Sequence, residues 1–523
     1  MVPILPVPKW YAWGSYDRLQ TMFGAAGTAG DGPIDVGAMT GEPLAEMWFS
    51  AHGQRSMTSD VLVGSARRGT RRMPLADLLR GDPGPMLGET ASRHWGPTLP
   101  YLLKVIAVRM PLSLQVHPLD FEARRGFHRE QSAGIPQDDP ARSFRDMQGK
   151  HEMVVALEPF DASVGFAPVS RQIRALRSVR HPLARAMADI LQSGSMTGPA
   201  DRSAVGTAEP TMAVIDRMMP ESARVWSETS RRVFRAFALA VMYGRDVDTV
   251  TVLREAVSRL GDHAGQVAGG GTGLPTGSSS GSRSGASAAS ETSRMLANAL
   301  RAAEAFPGDA SALCLLMMNP VRLREGESVS IPPGTPHVYI HGLAAEIMTN
   351  SDNVLRAGLT VKHRDVPNLL RSLNTAPVPP VVPYTVRDGE RRGGGARRPA
   401  RCDPHRGLTL YHPCIDEFSL TYGHVEAGRV ADWPLPVLAQ DRPRIVVCVD
   451  GSLCCETERS DDVRRMTLRR GEGVFVPADD GLLRVTGAGN MTGAGNSTGV
   501  GGGSESIGHQ KTGGNLLMAS TGI

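Results

Sequence analysis

The first 160 residues alternate apolar and polar positions with the period of two that is typical of half-buried β-strands. The run YLLKVIAVRMPLSLQVH (101–117) predicts two strands joined by a short turn near Pro111. The run HEMVVALEPF (151–160) predicts a further strand. The beginning of the chain is therefore predicted to be rich in β-structure.

From about residue 165 the apolar residues recur at helical spacing, with many arginines between them. Helices are predicted in the stretches 171–192, 230–244 and 293–306. The stretch 268–290 is rich in Gly and Ser and predicts a flexible loop, because it has too few apolar residues to order itself by burial. This middle part is therefore predicted to be a helical insertion.

Strand-like patterns return at about residue 325. GESVSIPPGTPHVYIHG (326–342) predicts a strand, a Pro-Pro-Gly turn and a second strand, and RIVVCVDGSLCCE (444–456) predicts another. Short strands separated by Gly and Pro turns favour sandwiches over a parallel sheet. We therefore predict a mainly β fold of cupin or jelly-roll β-sandwich domains, interrupted by a helical insertion domain.

These changes of pattern divide the chain into predicted domains. They are the first part of a catalytic cupin domain (1–164), a helical insertion (165–309) containing the loop 268–290, the second part of the catalytic domain (310–386), a linker (387–401), a C-terminal cupin-like domain (402–485) and a flexible tail (486–523).

Composition and charge exclude several classes of protein. The 57 basic and 53 acidic residues leave a net charge of +4, too small to predict a nucleic-acid partner, and the arginine run at 391–401 is interpreted as a solvated linker. No apolar run approaches the ~20 residues that span a bilayer, and the six cysteines show no disulfide spacing. We expect a cytoplasmic, monomeric protein that binds neither nucleic acid nor membrane.

Period two also nominates polar residues that could share one site. It places Gln115 and His117 on one face of their strand, and Glu152 and His337 lie on strands of their own. If these strands line one barrel, two imidazoles, a carboxylate and an amide could converge as ligands of a zinc-like ion. Ordinary polar strand faces are the alternative, because residues separated by 35 and 185 positions form no compact motif.

The same residues lie in a series of motifs that resembles type I phosphomannose isomerase (mannose-6-phosphate isomerase). The series comprises YAWGS (11–15), EMWFSAH (46–52), QVHP (115–118), GIPQDDPARSFRD (134–146), GKHEMVVAL (149–157) and the continuous stretch from IPPGTPHVYIHG to EIMTNSDNVLRAGLTVKHRDV (331–366). The last is the most specific. The resemblance covers most of residues 5–370.

The resemblance implies that one zinc ion per chain is bound by Gln115, His117, Glu152 and His337. His151 stands where a proline is usual in this family, and it is either a support of the metal site or an ordinary strand residue. His341 is not a ligand in the family and is interpreted as a rim residue.

The resemblance further implies the interconversion of mannose 6-phosphate and fructose 6-phosphate through an enediol. Arg356 would stabilise developing negative charge, while Lys150 and Glu346 are further catalytic candidates. The proton could be carried by Glu346, Lys150 or a zinc-bound water, and the sequence does not choose among them. The candidates for substrate binding are Lys104, Ser113, Tyr339 and Lys362.

Two other functions compete with the isomerase interpretation. A non-catalytic cupin that binds a metal or a sugar phosphate would be favoured by loss of a ligand or of Arg356, and neither is lost. A bifunctional protein that also transfers nucleotides would need a Gly-rich phosphate loop after a strand, and the Gly-rich runs are not placed in that way.

Overall fold

The computed structural model of the chain describes residues 1–24, 41–53, 55–65, 69–194, 210–244, 247–269, 282–387, 407–431, 433, 440–459, 462–488 and 513–522. The strands are β1 (Val2–Leu5), β2 (Val7–Ser15), β3 (Leu44–Phe49), β4 (Asp60–Ser65), β5 (Gly69–Pro74), β6 (Tyr101–Val108), β7 (Leu114–Val116), β8 (Glu152–Ala156), β9 (Phe160–Phe166), β10 (Met318–Leu323), β11 (Ser328–Ile331), β12 (His337–Thr349), β13 (Leu355–Gly358), β14 (Tyr384–Arg387), β15 (Leu408–His412), β16 (Ser419–Glu426), β17 (Arg444–Arg459), β18 (Asp462–Arg469), β19 (Gly473–Val476), β20 (Leu482–Gly487) and β21 (Gly513–Ser520).

The α-helices are α1 (Arg18–Phe23), α2 (Leu75–Gly81), α3 (Pro83–Leu87), α4 (Glu89–Trp95), α5 (Asp120–Ser132), α6 (Val169–Ser178), α7 (Pro182–Ser193), α8 (Met212–Arg217), α9 (Glu228–Val241), α10 (Thr249–Gly269), α11 (Ser282–Ala305) and α12 (Val366–Ser372). Short 3₁₀ helices span Arg55–Met57, Glu221–Val225, Ala310–Met317 and Ala478–Asp480. Among the helices described, none is both long and apolar enough to cross a membrane.

Two antiparallel sheets organise the strands. The first has the order β10-β9-β12-β6-β3-β2, and β7, β8, β11 and β13 pair beside this path. The long strand β12 pairs with β7 and β9 through its first half and with β6 and β8 through its second half. It therefore joins the parts of the sheet from which the site is built.

The pairing partners of strand β12 change at Gly342. This glycine has φ of +132°, and a Cβ atom there would lie 2.5 Å from the carbonyl oxygen of Pro159. Only glycine fits such a close approach at a positive φ. A single strand thus carries His337 on one side of this glycine and Glu346 on the other.

The second sheet has the order β14-β15-β16-β21-β17-β19-β1-β4-β5, with β18 and β20 paired to β17. Three of its strands, β1, β4 and β5, come from the stretch 1–164 that the sequence assigned to the catalytic domain. Strand β21 pairs with β16 and β17 inside the sheet. The prediction of a flexible tail over 486–523 is therefore wrong for residues 513–520; residues 489–512 lie outside the described part of the chain.

Helices α6, α9, α10 and α11 pack around the 3₁₀ helix Ala310–Met317, whose residues are all buried. The ring of Phe237 in α9 meets the ring of Phe166 in β9 edge-on, with the centroids 5.4 Å apart. The predicted loop 268–290 is helical from Ser282 onward, and its residues 270–281 are not described. The predicted linker is described only at Arg387, which ends β14.

The prediction of a mainly β fold of the cupin or jelly-roll type with a helical insertion is confirmed.

Candidate metal centre and active site

Three residues that are far apart in sequence meet inside the first sheet. Glu152 begins β8, His337 begins β12, and His117 directly follows β7. All three are buried, and their ligand atoms lie within 4.8 Å of one another. The structure thus brings together the imidazoles and the carboxylate that strand period had nominated.

Hydrogen bonds to backbone carbonyls fix the tautomer of both imidazoles. Nδ1 of His117 lies 2.9 Å from the carbonyl oxygen of Asn353, and Nδ1 of His337 lies 3.0 Å from that of Thr335. A carbonyl oxygen can only accept a hydrogen bond, so each Nδ1 carries the hydrogen. Each Nε2 then presents a lone pair, which is the form in which histidine binds a metal.

Both Nε2 atoms point at the carboxylate of Glu152, at 3.0 Å from His117 and 3.4 Å from His337. Burial lowers the pKa of His117 to about 4, so this ring is neutral near pH 7. Burial disfavours the charged form of Glu152, but His117 and Lys150 outweigh it and hold the pKa of its carboxyl well below the usual value. A lone pair on Nε2 of His117 that faces the carboxylate of Glu152 is repelled by it unless a cation lies between them. A set of two imidazoles and a carboxylate fits zinc.

Gln115 lies beside this cluster, opposite His337 in the β12–β7 ladder. Its Nε2 is 3.0 Å from Nε2 of His337, and its Oε1 accepts a hydrogen bond of 3.0 Å from Oγ of Ser113. A half-turn of the amide exchanges its oxygen and nitrogen, so Oε1 can face the cluster. The role of Gln115 as fourth ligand and that of Ser113 in substrate binding remain predictions.

A chain of polar contacts leads away from the cluster through the other buried candidates. Nζ of Lys150 lies 2.9 Å from Oε1 of Glu152. Oη of Tyr339 lies 3.2 Å from Oε2 of Glu152 and donates a hydrogen bond of 2.8 Å to Glu346, whose other oxygen lies 2.8 Å from Nζ of Lys104. The structure therefore joins the candidates Lys150, Tyr339, Glu346 and Lys104 to the metal cluster.

The same buried environment determines the charges of Lys104 and Tyr339. Burial opposes the charge of Lys104, but the carboxylates of Glu346 and Glu46 outweigh burial and raise the pKa of the ammonium. Burial, reinforced by Glu152 and Glu346, raises the pKa of Tyr339 well above its usual value. Lys104 is therefore a cation and Tyr339 a hydrogen-bond donor at neutral pH.

Two residues that the sequence did not nominate, Glu46 and Trp48, lie beside Lys104 in this series of buried polar contacts. Trp48 lies opposite Lys104 in the β3–β6 ladder, with its ring centroid 4.9 Å from Nζ, and its indole donates a hydrogen bond of 2.5 Å to Glu46. A signal for them existed, because Glu46 and Trp48 lie two positions apart in the motif EMWFSAH and so share a strand face.

Two further candidate cations, Arg356 and Lys362, are less buried than these polar groups. Arg356 lies opposite Gln115 in the β13–β7 ladder and is half-buried, and burial lowers the pKa of its guanidinium from the usual value. Within the described part of the chain, its guanidinium has no hydrogen-bond partner. Lys362 is exposed, with Nζ 4.1 Å above the ring of Tyr11, and does not touch the buried chain. His341 pairs with Asp161 of β9, outside the cluster.

Comparisons with known proteins agree with the motifs. Residues 1–169 match the family model of the phosphomannose isomerase type I catalytic domain. Mannose-6-phosphate isomerase of Salmonella typhimurium is 27% identical over 482 residues, which cover 92% of this chain and 96% of that protein. The Escherichia coli enzyme is 26% identical, with the same coverage, and the Bos taurus enzyme is 25% identical over 91% of this chain and 93% of its own length. The resemblance predicted from the sequence is confirmed.

Solved structures share the fold over the whole chain. A zinc-bound mannose 6-phosphate isomerase superposes with a TM-score of 0.66 at 23% identity, covering 100% of this chain and 99% of its own. The Salmonella typhimurium enzyme bound to fructose 6-phosphate and zinc gives a TM-score of 0.65, also at 23% identity, with both chains fully covered.

Proposed function

We propose that this chain, which resembles type I phosphomannose isomerases in its motifs, its catalytic domain and its fold, is a zinc-dependent isomerase that interconverts mannose 6-phosphate and fructose 6-phosphate. The observation that carries the proposal is the pair of buried Nε2 lone pairs that face the carboxylate of Glu152, next to a chain of buried acids and bases. The second feature favours an isomerase over a protein that only binds a metal, because moving a proton between two carbons needs a positioned base.

In this proposal His117, Glu152, His337 and the amide oxygen of Gln115 hold the zinc ion. Zinc, when bound there, would polarise and orient the oxygens on carbons 1 and 2 of the sugar. The backbone carbonyls of Asn353 and Thr335 keep the imidazole rings in the tautomer that binds a metal.

The isomerisation needs a group that takes a proton from carbon 2 and returns it to carbon 1. We assign this step to the carboxylate of Glu346, because one of its oxygens is held by Lys104 and the other by the hydroxyl of Tyr339. The competing candidate, Lys150, lies 2.9 Å from Oε1 of the proposed ligand Glu152, and we assign it to orienting that ligand.

The negative charges of the substrate and of the enediolate need cations. Arg356 is half-buried beside Gln115 and has no hydrogen-bond partner among described residues, so its five N–H donors are available to an oxyanion. Lys362 is exposed, with Nζ over the ring of Tyr11, and we assign its ammonium to the phosphate of the substrate. Lys104 is engaged with Glu346, so we assign it to the proton-carrying carboxylate instead of the phosphate.

We further propose that the enzyme works in the cytoplasm as a monomer. The described cysteines, Cys314, Cys414, Cys448, Cys454 and Cys455, are all free thiols, which is usual in a reducing compartment.

A coupled assay tests the proposed function. Purified protein should convert mannose 6-phosphate to fructose 6-phosphate, lose this activity on chelation and regain it when zinc is added back. Glu346→Gln should remove turnover while retaining zinc. Folded, zinc-loaded protein that shows no turnover would contradict the isomerase and would leave a non-catalytic metal-binding cupin in its place.

A further inference from the structure

His151 lies between two residues of the site but faces away from it. Lys150 and Glu152 meet on one side of the chain, where Nζ and Oε1 are 2.9 Å apart. Because side chains alternate along an extended segment, the ring of His151 points to the opposite side. It therefore reaches the site only through the backbone that it shares with its neighbours.

The ring of His151 is fixed from two directions. Nε2 lies 2.7 Å from Oγ of Ser330, a residue of β11 that is 1% exposed and pairs with Met153 of β8. The ring also meets that of Phe418 edge-on, with centroids 6.2 Å apart and planes at 84°. Phe418 is fully buried and directly precedes β16 of the second sheet. The ring thus links the Lys150–Glu152 segment to both sheets.

The backbone of His151 is held as well. Its N–H donates a hydrogen bond of 3.1 Å to Oγ1 of Thr349, and its carbonyl oxygen accepts one of 3.0 Å from the N–H of Thr349. Oγ1 of Thr349 in turn donates to the carbonyl oxygen of Gly149 at 3.1 Å. With both backbone and ring fixed, small displacements of the segment are resisted.

We propose that His151 is a positioning residue that holds Lys150 and Glu152 in register with the two imidazoles, and that Phe418 connects this support to the second sheet. The inference rests on the proposed function, since it concerns how the same metal site is kept in shape. It gives the second sheet a role in metal retention, although that sheet contributes none of the candidate ligands.

The test measures how fast zinc leaves the full-length, zinc-loaded protein when a chromogenic chelator is in excess. His151→Ala should raise the dissociation rate constant about tenfold, at the lower end of the effect of removing groups that orient metal ligands. His151→Gln, which can still reach Ser330 through its amide, should return most of the wild-type rate. Ser330→Ala removes a single hydroxyl group and should raise the rate about threefold.

Tyr422→Phe is the matched control. This substitution removes a different hydrogen bond, the one of 2.8 Å that Oη of Tyr422 on β16 donates to Glu325, which lies between β10 and β11. The control should release zinc at the wild-type rate even if its melting temperature falls as far as that of the His151 variants. A steady-state assay should show kcat lowered in His151→Ala with KM for mannose 6-phosphate unchanged.

Equal zinc release by wild type, His151→Ala and Ser330→Ala would overturn the positioning role. Ser330→Ala alone decides the matter if His151→Ala does not fold. Wild-type protein that binds zinc without turnover would contradict the isomerase but leave the zinc-release comparison valid, and wild-type protein that binds no zinc would overturn both proposals.

Discussion

Glu152 is the one carboxylate of the metal cluster, and two Nε2 lone pairs converge on it. Glu152→Gln keeps the shape of the side chain but removes its charge, so zinc affinity should fall by at least about a hundredfold. Metal analysis after dialysis should find one zinc per wild-type chain and almost none in the variant. Glu89→Gln, at an exposed helical carboxylate, is the control. A full zinc content in Glu152→Gln would contradict the assigned ligand set.

Arg356 is the cation placed to meet negative charge that develops during the reaction. Arg356→Lys keeps the charge but removes the fork of donors, and kcat should fall about 10²- to 10³-fold, as when one oxyanion donor is lost. Stopped-time assays at saturating mannose 6-phosphate measure the loss. Arg254→Lys, at a surface ion pair with Glu304, should leave kcat unchanged. A variant of Arg356 with normal kcat would place this arginine in a structural role.

One buried histidine, His117, and one half-buried histidine, His151, make the metal-free protein sensitive to acid. Burial lowers the pKa of both His117 and His151 to about 4, whereas a histidine of the unfolded chain titrates near 6.5. Between these values the unfolded chain binds more protons than the folded one, so the free energy of unfolding falls as pH falls, by up to about 1.4 kcal/mol per pH unit for each group.

Denaturant titrations in the presence of a chelator, from pH 7 to pH 4, should show this loss of stability. The part that each histidine contributes is present above about pH 6.5 and is lost toward pH 4. His151→Gln removes one of the two groups and should reduce the slope. An unchanged slope in that variant would show that His151 does not titrate in this window.

Strand β12 is the element that joins the parts of the first sheet from which the site is built. It pairs with β7 and β9 before Gly342 and with β6 and β8 from Gly342 onward. Gly342→Ala would force a Cβ against the carbonyl of Pro159 at a positive φ, and the free energy of unfolding should drop by at least about 2 kcal/mol. Gly84→Ala, where a Cβ meets nothing within 4 Å, should cost no stability in the same urea titration. Equal midpoints would show that β12 adapts without strain.

Elements with a regular apolar pattern could be predicted from the sequence, and irregular ones could not. Period two was enough to nominate His117, Glu152 and His337, because each lies on or next to a strand that lines the interior. Strand β21 was missed because its residues Leu516–Ala519 are buried on both faces and so do not alternate. The start of α11 was not predicted, because Ser and Gly, which favour a helix less, are interspersed with the alanines of its first turns.

At the scale of the molecule, β21 joins two cores. Leu516 and Met518 pack inside the second sheet, whereas Leu517 and Ala519 belong to the core that this sheet shares with the first. Leu517→Asp would bury an unpaired charge between the sheets and should cost more than about 3 kcal/mol or prevent folding. Thermal unfolding and the soluble yield measure the effect. Val463→Asp, at a position 57% exposed on β18, should be tolerated; equal tolerance of Leu517→Asp would show that the sheets do not share a core.

The general architecture was predictable because strand-like and helical stretches follow one another in long blocks. The pairing of β1 with β19 was not, because it depends on a match between residues at opposite ends of the chain, for which neither segment carries a local signal. The same holds for Glu46 and Trp48, whose place beside Lys104 follows from the β3–β6 register.

Strands β1 and β19 pair although they are far apart in the sequence, and this separation affects how the protein folds during its synthesis. Val2 pairs with Phe475, so at about 5–20 residues per second the ribosome needs roughly 25 to 95 s to deliver the partner of the first strand. Throughout that interval the nascent chain presents an unpaired strand edge, which is the kind of surface that aggregates or recruits chaperones. The yield of folded protein in a cell should therefore depend on the concentration of chaperones. They would bind the nascent chain before it binds any zinc.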